Sequence, residues 1–379
     1  MHNPPLCRTI NYHTSVPLSY TPVKYYRGVL YLRQCLPEHR QKAYTTRVSN
    51  LWQSLQKPVY ALAPMENVTD TVFRRILIEC GAPHVFFTEF TRVEQVAAYP
   101  RRGLPGRMRC QSSERPLIVQ IWGTDPELYR RAAAIIVQLG YDGIDINMGC
   151  PVRRIRNKGS CSGLIINPAL AAEIIAATRE GARSQPSGTL PVSVKTRIGY
   201  DRPVTDEWIG FLLQQNIDLL TVHARTAFQE SEGPVNHAAI LRTVELRNQL
   251  APQTLIFANG DIRSVAEGGG LCSRLGVDGV MIGRAIFSDP HLFSPLGENP
   301  RSYANQSPRQ KIALMQRHIR LHQQTWNGSR NYEVMKRFYK IYLVGFDGAI
   351  ELRDRLNRTY DYQSALTEID EFSSQVRYY

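Results

Sequence analysis

Gly143-Ile144-Asp145-Ile146-Asn147-Met148-Gly149-Cys150-Pro151 is the stretch on which the fold turns. Its first half is short and nearly all apolar, as a strand is when both faces of a parallel sheet are covered. Its second half turns polar and ends in Gly-Cys-Pro, so chemistry-bearing side chains fall where the strand stops. The same form recurs along the chain. Apolar runs occupy Val59–Pro64, His84–Phe90 and Pro116–Gly123 before it, and Val192–Gly199, Leu219–Arg225, Leu255–Asp261 and Gly279–Ala285 after it. Helical stretches separate most of them: Asp125–Leu139 opens on Asp-Pro and has helical apolar spacing, and Pro168–Glu180 is rich in Ala and Ile. Eight β–α units between residues 59 and 295 fit an α/β fold of the (β/α)8 TIM-barrel type. An open doubly wound sheet is the alternative, and no GxGxxG follows an early strand to support it.

The strand ends agree with one another. Strand one ends Ala63-Pro64-Met65, strand three carries Gln120, and strand four ends Asn147 through Cys150. Strand five offers Lys195 and Arg197, and strand six His223 and Arg225. Strand seven ends Asn259-Gly260-Asp261 and strand eight Gly283-Arg284. Such barrels keep their active site at the C-terminal strand ends, with phosphate often held after strands seven and eight. Glycine there lets backbone amides approach a phosphate closely.

Composition sets outer bounds. Of 379 residues 43% are hydrophobic and 21% charged, which supplies a sizeable core and argues against global disorder. No stretch approaches the roughly 18 consecutive apolar residues of a membrane span, and the opening residues lack the apolar run of a secretory signal. Seven scattered cysteines without a CxxC pair argue against a disulfide framework or zinc site. A reducing, cytoplasmic compartment, no metal and a monomer are the expectations. The net charge of +13 is uneven: residues 1–58 hold eight Lys or Arg against one acid, Glu38, and residues 296–379 thirteen against nine. A polyanionic partner touching both ends would explain this, and so would a solvated basic surface.

Residues 1–58 contain Pro4, Pro5, Pro17 and Pro22 and no clear periodicity. They are expected to form a poorly ordered extension with a helix near Ser49–Leu55; organelle targeting is a second reading of so acid-poor a segment. Residues 308–326, 331–345, 347–357 and Ser364–Gln375 read as helices. Residues 300–379 are thus expected to form a small helical domain, beyond a Pro, Gly and Asn loop at 295–308.

From about residue 59 to 375 the chain resembles the tRNA-dihydrouridine synthases. The matching pieces are Leu62-Ala63-Pro64-Met65 with Asp70, Phe87-Thr88-Glu89, and Val119-Gln120-Ile121-Trp122-Gly123. After Asp145 to Pro151 come Val194-Lys195-Thr196-Arg197-Ile198-Gly199, Val222-His223-Ala224-Arg225-Thr226, Asn259-Gly260-Asp261-Ile262, and Gly279 to Arg284. The resemblance implies an FMN barrel that reduces uridines in tRNA with electrons from NADPH. It implies Cys150 as the acid that protonates C5, a thiol mostly protonated at its ordinary pKa of ~8.5. It places Ala63, Pro64 and Met65 beneath the flavin, Gln120 at its polar edge, Lys195 at the N1–C2 side, and His223 on the flavin or its phosphate. Asn259, Gly260, Asp261, Gly283 and Arg284 would hold the phosphate, Asp261 through its backbone amide. Asn147 and Arg197 would meet the uracil edge, with loop-stabilising contacts as their other reading. Gly159-Ser160-Cys161-Ser162-Gly163 departs from the family's small-residue pattern, and Cys161 reads as loop packing.

The helical tail is similar to the family's tRNA-binding domain. Lys336-Arg337-Phe338-Tyr339-Lys340, Arg353, Arg355 and Arg358 would track an RNA backbone or form a solvated amphipathic face. Two rival functions stand beside this one: an FMN barrel reducing a small enone or pyrimidine, and a non-catalytic RNA-binding barrel.

Overall fold

A computed structural model of the chain describes residues 51–183, 189–296 and 303–375. Eight strands form one parallel sheet: β1 (Val59–Leu62), β2 (Phe86–Phe87), β3 (Leu117–Trp122), β4 (Gly143–Asn147), β5 (Val192–Arg197), β6 (Leu219–His223), β7 (Leu255–Asn259) and β8 (Gly279–Ile282). From β2 to β8 each pairs with the next, and β8 pairs with β1. A parallel bridge from Ala61 to Val85 joins β1 to β2 and closes the barrel. The short pair Thr91–Arg92 adds to the edge of β3 at Ile121 and Trp122. The TIM barrel expected from the apolar runs is the fold observed.

Helices follow the strands: α2 (Thr71–Cys80), α3 (Val93–Ala97), α4 (Pro126–Gln138), α5 (Arg153–Arg156), α6 (Pro168–Ala182), α7 (Gly210–Leu213), α8 (His237–Leu250) and α9 (Val265–Leu275). Side-chain caps start the long ones, with Asp70, Asp125, Asn167, Asn236 and Ser264 each accepting from a first-turn amide. Before β1 lies α1 (Leu51–Ser54), whose Trp52 is buried against the edge of Phe257, ring centroids 5.8 Å apart. Trp52 clusters with Val59 and Leu219, the first residues of β1 and β6, and so closes the barrel floor. The helix falls inside the stretch expected near Ser49–Leu55, and an apolar Leu-Trp pair gives it a core to enter. Residues 1–50 of the expected extension lie outside the described residues.

Four helices follow the barrel: α10 (Pro308–Trp326), α11 (Lys336–Tyr342), α12 (Ala349–Asn357) and α13 (Tyr362–Gln375). They share a core that includes Phe338, Tyr339, Tyr342, Leu352, Leu356 and Ile369. The basic–aromatic cluster forms an amphipathic face, the second of its two readings: Phe338 and Tyr339 are buried core residues, while Arg337 and Lys340 are exposed. One side of an amphipathic helix packs and the other meets water. Arg355 is paired with Glu368 and Glu371, so it is not a free cation of that face.

The helices are fastened to the β1–β2 side of the barrel. Trp326 Nε1 donates to Asp70 Oδ2 at 2.9 Å, and Arg330 donates to both oxygens of the buried Glu89, at 2.7 and 2.9 Å. Arg330 also donates to Asn67 Oδ1 at 3.0 Å and lies 5.2 Å from the Trp326 ring centroid. Removing one partner of a buried ion pair costs ~3–5 kcal/mol, since the other charge is left without compensation. Arg330→Ala should therefore lower the urea midpoint of unfolding by about that much stability, whereas Arg353→Ala should leave the midpoint nearly unchanged.

Candidate active site

The C-terminal strand ends surround a cavity of about 610 Å³. Every residue expected at the flavin lines it except Gln120: Ala63, Pro64 and Met65 on one side, Lys195 and His223 on another, then Asn259, Gly260, Asp261, Gly283 and Arg284. Gln120 is fully buried beside it, with its amide already engaged. The expected substrate residues Asn147 and Arg197, and Cys150, are not among the residues lining this cavity.

A buried polar chain runs from β3 to the loop after β4. Ser193 Oγ donates to Asp145 Oδ1 at 2.6 Å, and Gln120 Nε2 donates to Asp145 Oδ2 at 2.7 Å. Asn147 Nδ2 donates to Gln120 Oε1 at 3.0 Å. Asn147 Oδ1 in turn accepts from the amides of Gly149 and Cys150, each at 3.0 Å. A carboxylate can only accept, so Asp145 dictates which way the Gln120 amide faces, and Gln120 dictates Asn147. Burial, relieved in part by Ser193 and Gln120, raises the Asp145 pKa to about 6. Arg197 holds the same loop from the other side: Nε donates to Gly149 O at 2.6 Å, and Nη1 donates to Thr226 O at 2.9 Å and Glu230 O at 2.6 Å. Asn147 and Arg197 thus brace the Cys150 loop, and no hydrogen bond from Arg197 Nη2 is present among the described residues.

Cys150 is half-buried, and its carbonyl accepts from Ser162 Oγ at 2.8 Å. A hydrogen bond from the Cys161 thiol lowers its pKa to about 7 against the opposing effect of burial, with help from the Val152 amide, Arg197 and Lys195. Cys161 is buried and pushed well above the ordinary thiol range by burial and by Cys150. Cys161 is thus coupled to Cys150 as well as packed in the loop, and it makes the Cys150 thiol more acidic than an ordinary thiol.

The cavity is ringed by cations. Lys195 is half-buried, donates to Asn259 Oδ1 at 3.2 Å, and has its pKa lowered to about 8, chiefly by desolvation. Burial first, then Arg197, Lys195, Arg225 and Arg284, depress His223 to about 2, so its ring is neutral. The Asp261 carboxylate accepts from Arg225 and, at 2.7 Å, from Arg284. It is turned toward two guanidiniums, and Asp261 itself has φ 50°, a left-handed backbone. Gly260 has φ 130°, and a β-carbon on it would come 2.9 Å from Val235 and 3.2 Å from His223, so only glycine fits. Asp145 and Ser193 carry no site role in the sequence, and Arg225 stands there only as a strand-end residue without a partner. A lone acid between Ile144 and Ile146 in an apolar strand was the available signal.

A closed parallel barrel with a cation-ringed cavity and a braced thiol at one rim is an enzyme scaffold. A family model described as dihydrouridine synthase (Dus) matches residues 61–377. A probable tRNA-dihydrouridine synthase 2 of Bacillus subtilis (strain 168) is 40% identical over 327 residues, covering 85% of this chain and 96% of that relative. A probable tRNA-dihydrouridine synthase of Staphylococcus aureus (strain COL) is 39% identical over 331 residues, 86% of this chain and 97% of its own. Among solved structures, morphinone reductase overlaps 68% of this chain and 92% of its own at TM-score 0.46 and 12% identity. The protein belongs to the dihydrouridine synthase family.

The Asp145 chain has a direct test. Asp145→Leu leaves the buried Gln120 Nε2 unpaired, at ~1–3 kcal/mol, and should show that loss in chemical unfolding. Asp145→Asn should cost much less, because its oxygen still accepts from Gln120 while the Ser193 hydroxyl rotates to accept the new amide.

Proposed function

We propose that the protein reduces uridines in tRNA to 5,6-dihydrouridine at the β4–β8 rim, with Cys150 as proton donor. The observation that carries this reading is the braced Cys150 at the strand-end rim of a cavity that Lys195 and Arg284 line, with Arg197 and Arg225 close enough to act on its His223. The family match along most of the chain supports the substrate class.

The residues present fit FMN. Ala63, Pro64 and Met65 offer an apolar wall for a ring, Lys195 a half-buried cation, and Gly260, Gly283 and Arg284 a close, cationic approach for a phosphate. Bound there, FMN would supply a hydride to uracil C6, with NADPH as the electron source. Conjugation of C5–C6 to the C4 carbonyl makes C6 the electrophilic carbon, and the charge that develops on the uracil calls for a proton at C5. Cys150 gives its thiol proton there, and the Cys161 hydrogen bond stabilises the thiolate left behind. Lys195 would neutralise negative charge on the ring. Neutral His223 can donate a single hydrogen bond without adding charge. Arg197 Nη2 is the guanidinium nitrogen available to a uracil carbonyl.

Anaerobic flavin absorbance tests the whole reading. NADPH should bleach the FMN-loaded protein, and tRNA lacking modifications should restore the colour with dihydrouridine formed in step. Bleached flavin left reduced by tRNA but reoxidised by a small enone would transfer the assignment to a small-molecule reductase. Cys150→Ala should keep FMN and tRNA binding while slowing reduction by about 10²–10⁴-fold, the usual worth of a placed acid.

The pH dependence follows from Cys150. Only the protonated thiol can donate, and its pKa lies near 7, so single-turnover reduction should decline as pH rises through about 7. Cys161→Ala removes the largest cause of that lowering and should move the declining limb to higher pH. A limb unmoved by this substitution would separate it from Cys150.

A further inference from the structure

Phe228 is 57% exposed on the loop after β6, at the same rim as Cys150. Single exposed apolar residues are ordinary; this one is unusual in being held rigidly. Its amide donates to Tyr200 O at 3.0 Å, and the Ala227 amide donates to Gly199 O at 2.9 Å. The Tyr200 ring meets it edge-on at 5.4 Å, and the Arg156 guanidinium sits 4.1 Å from its ring centroid. Arg156 Nε is buried without a hydrogen-bond partner among the described residues. The guanidinium is thus committed to the aromatic face more than to hydrogen bonding. An aromatic ring backed by a cation on one side presents what remains of its surface outward.

The loop is tied to the site. Arg197 Nη1 donates to Thr226 O and Glu230 O on either side of Phe228, while Arg197 Nε holds Gly149 O beside Cys150. Arg156 itself closes the short helix that follows Cys150. On the segments that carry Arg156, Tyr200 and Phe228, the exposed Arg153, Arg154, Lys158 and Arg202 lie outside every ion pair among the described residues and outnumber the acids Asp201, Glu230 and Glu232. In the strand order β5 and β6 lie across the barrel from β1 and β2, where the helices α10–α13 are fastened.

We propose that Phe228, backed by Arg156 and Tyr200, is a stacking platform for an unpaired nucleobase next to the one that enters the barrel. This rests on the reading that the substrate is RNA. Extruding a base leaves its neighbour without a stacking partner, and an aromatic face backed by Arg156 on segments with more basic than acidic side chains offers that neighbour both stacking and phosphate contacts. That excess of basic side chains favours RNA over a protein partner.

The test uses the full chain loaded with FMN and an unmodified tRNA transcript, with tRNA affinity read by filter binding. Phe228→Leu keeps apolar bulk but loses the aromatic face, and should weaken binding by about five- to a hundredfold, the worth of one stacked base. Phe228→Tyr should bind within about threefold of the natural protein, and the salt dependence of binding should be unchanged in both, since no phosphate contact is removed. FMN content and bleaching by NADPH should also be unchanged. Equal affinity of Phe228→Leu and the natural protein overturns the platform while leaving the tRNA reading intact, as does equal weakening in Leu and Tyr. A natural protein that neither binds nor reduces the transcript overturns both.

Discussion

Closure of eight parallel strands is the constraint from which the rest follows. A parallel ring carries every strand's C-terminal end to one rim, so residues from position 63 to position 284 meet although nothing local links them. The floor must then be sealed by something apolar, and Trp52 does this from outside the strand set. With the barrel interior packed below, the cavity at its strand ends lies above, where the strands turn polar. Site and core are two ends of the same eight segments.

The charges at that rim are mostly positive. Lys195, Arg197, Arg225 and Arg284 face each other around a neutral His223, and Asp261 offsets part of their repulsion. Burying like charges together costs free energy, and a site accepts that cost where a ligand supplies the opposite sign. The thiol of Cys150 sits at the edge of this field. Its lowered pKa comes first from Cys161, a side chain eleven residues further along the chain, and only then from the cations.

The helices beyond the barrel are not a loosely tethered appendage. Arg330, Trp326, Asp70, Asn67 and Glu89 form a largely buried polar joint in which each group has a partner from the other side. Such a joint fixes orientation, because charged groups removed from water tolerate little rotation before they lose their partners. Arg337, which donates to Glu66 O at 3.4 Å, and Lys340, 5.2 Å from the Phe287 ring, lean over the barrel rim. RNA lying between them and the Phe228 rim would cross the mouth of the cavity.

The barrel was legible by itself in the sequence because its evidence is local. Apolar runs such as Val192–Val194 read as buried strands wherever they fall, and the polar residues ending them mark one rim once the strands are parallel. Cys150 and the cavity-lining residues were legible for the same reason, together with a motif order that spans the chain. What tertiary structure decided were the pairings between segments. Asp145 orients Gln120 and Asn147, Cys161 lowers Cys150, Arg330 meets Glu89, and Phe228 rests on Arg156. The aromatics at Phe338 and Tyr339 turned inward, although their basic neighbours suggested an exposed surface. Hydrophobic periodicity states which face of a segment is buried but not what it is buried against. Hydrogen bonds and ion pairs depend on distances of a few ångströms between residues far apart in sequence, and only the closed barrel sets those.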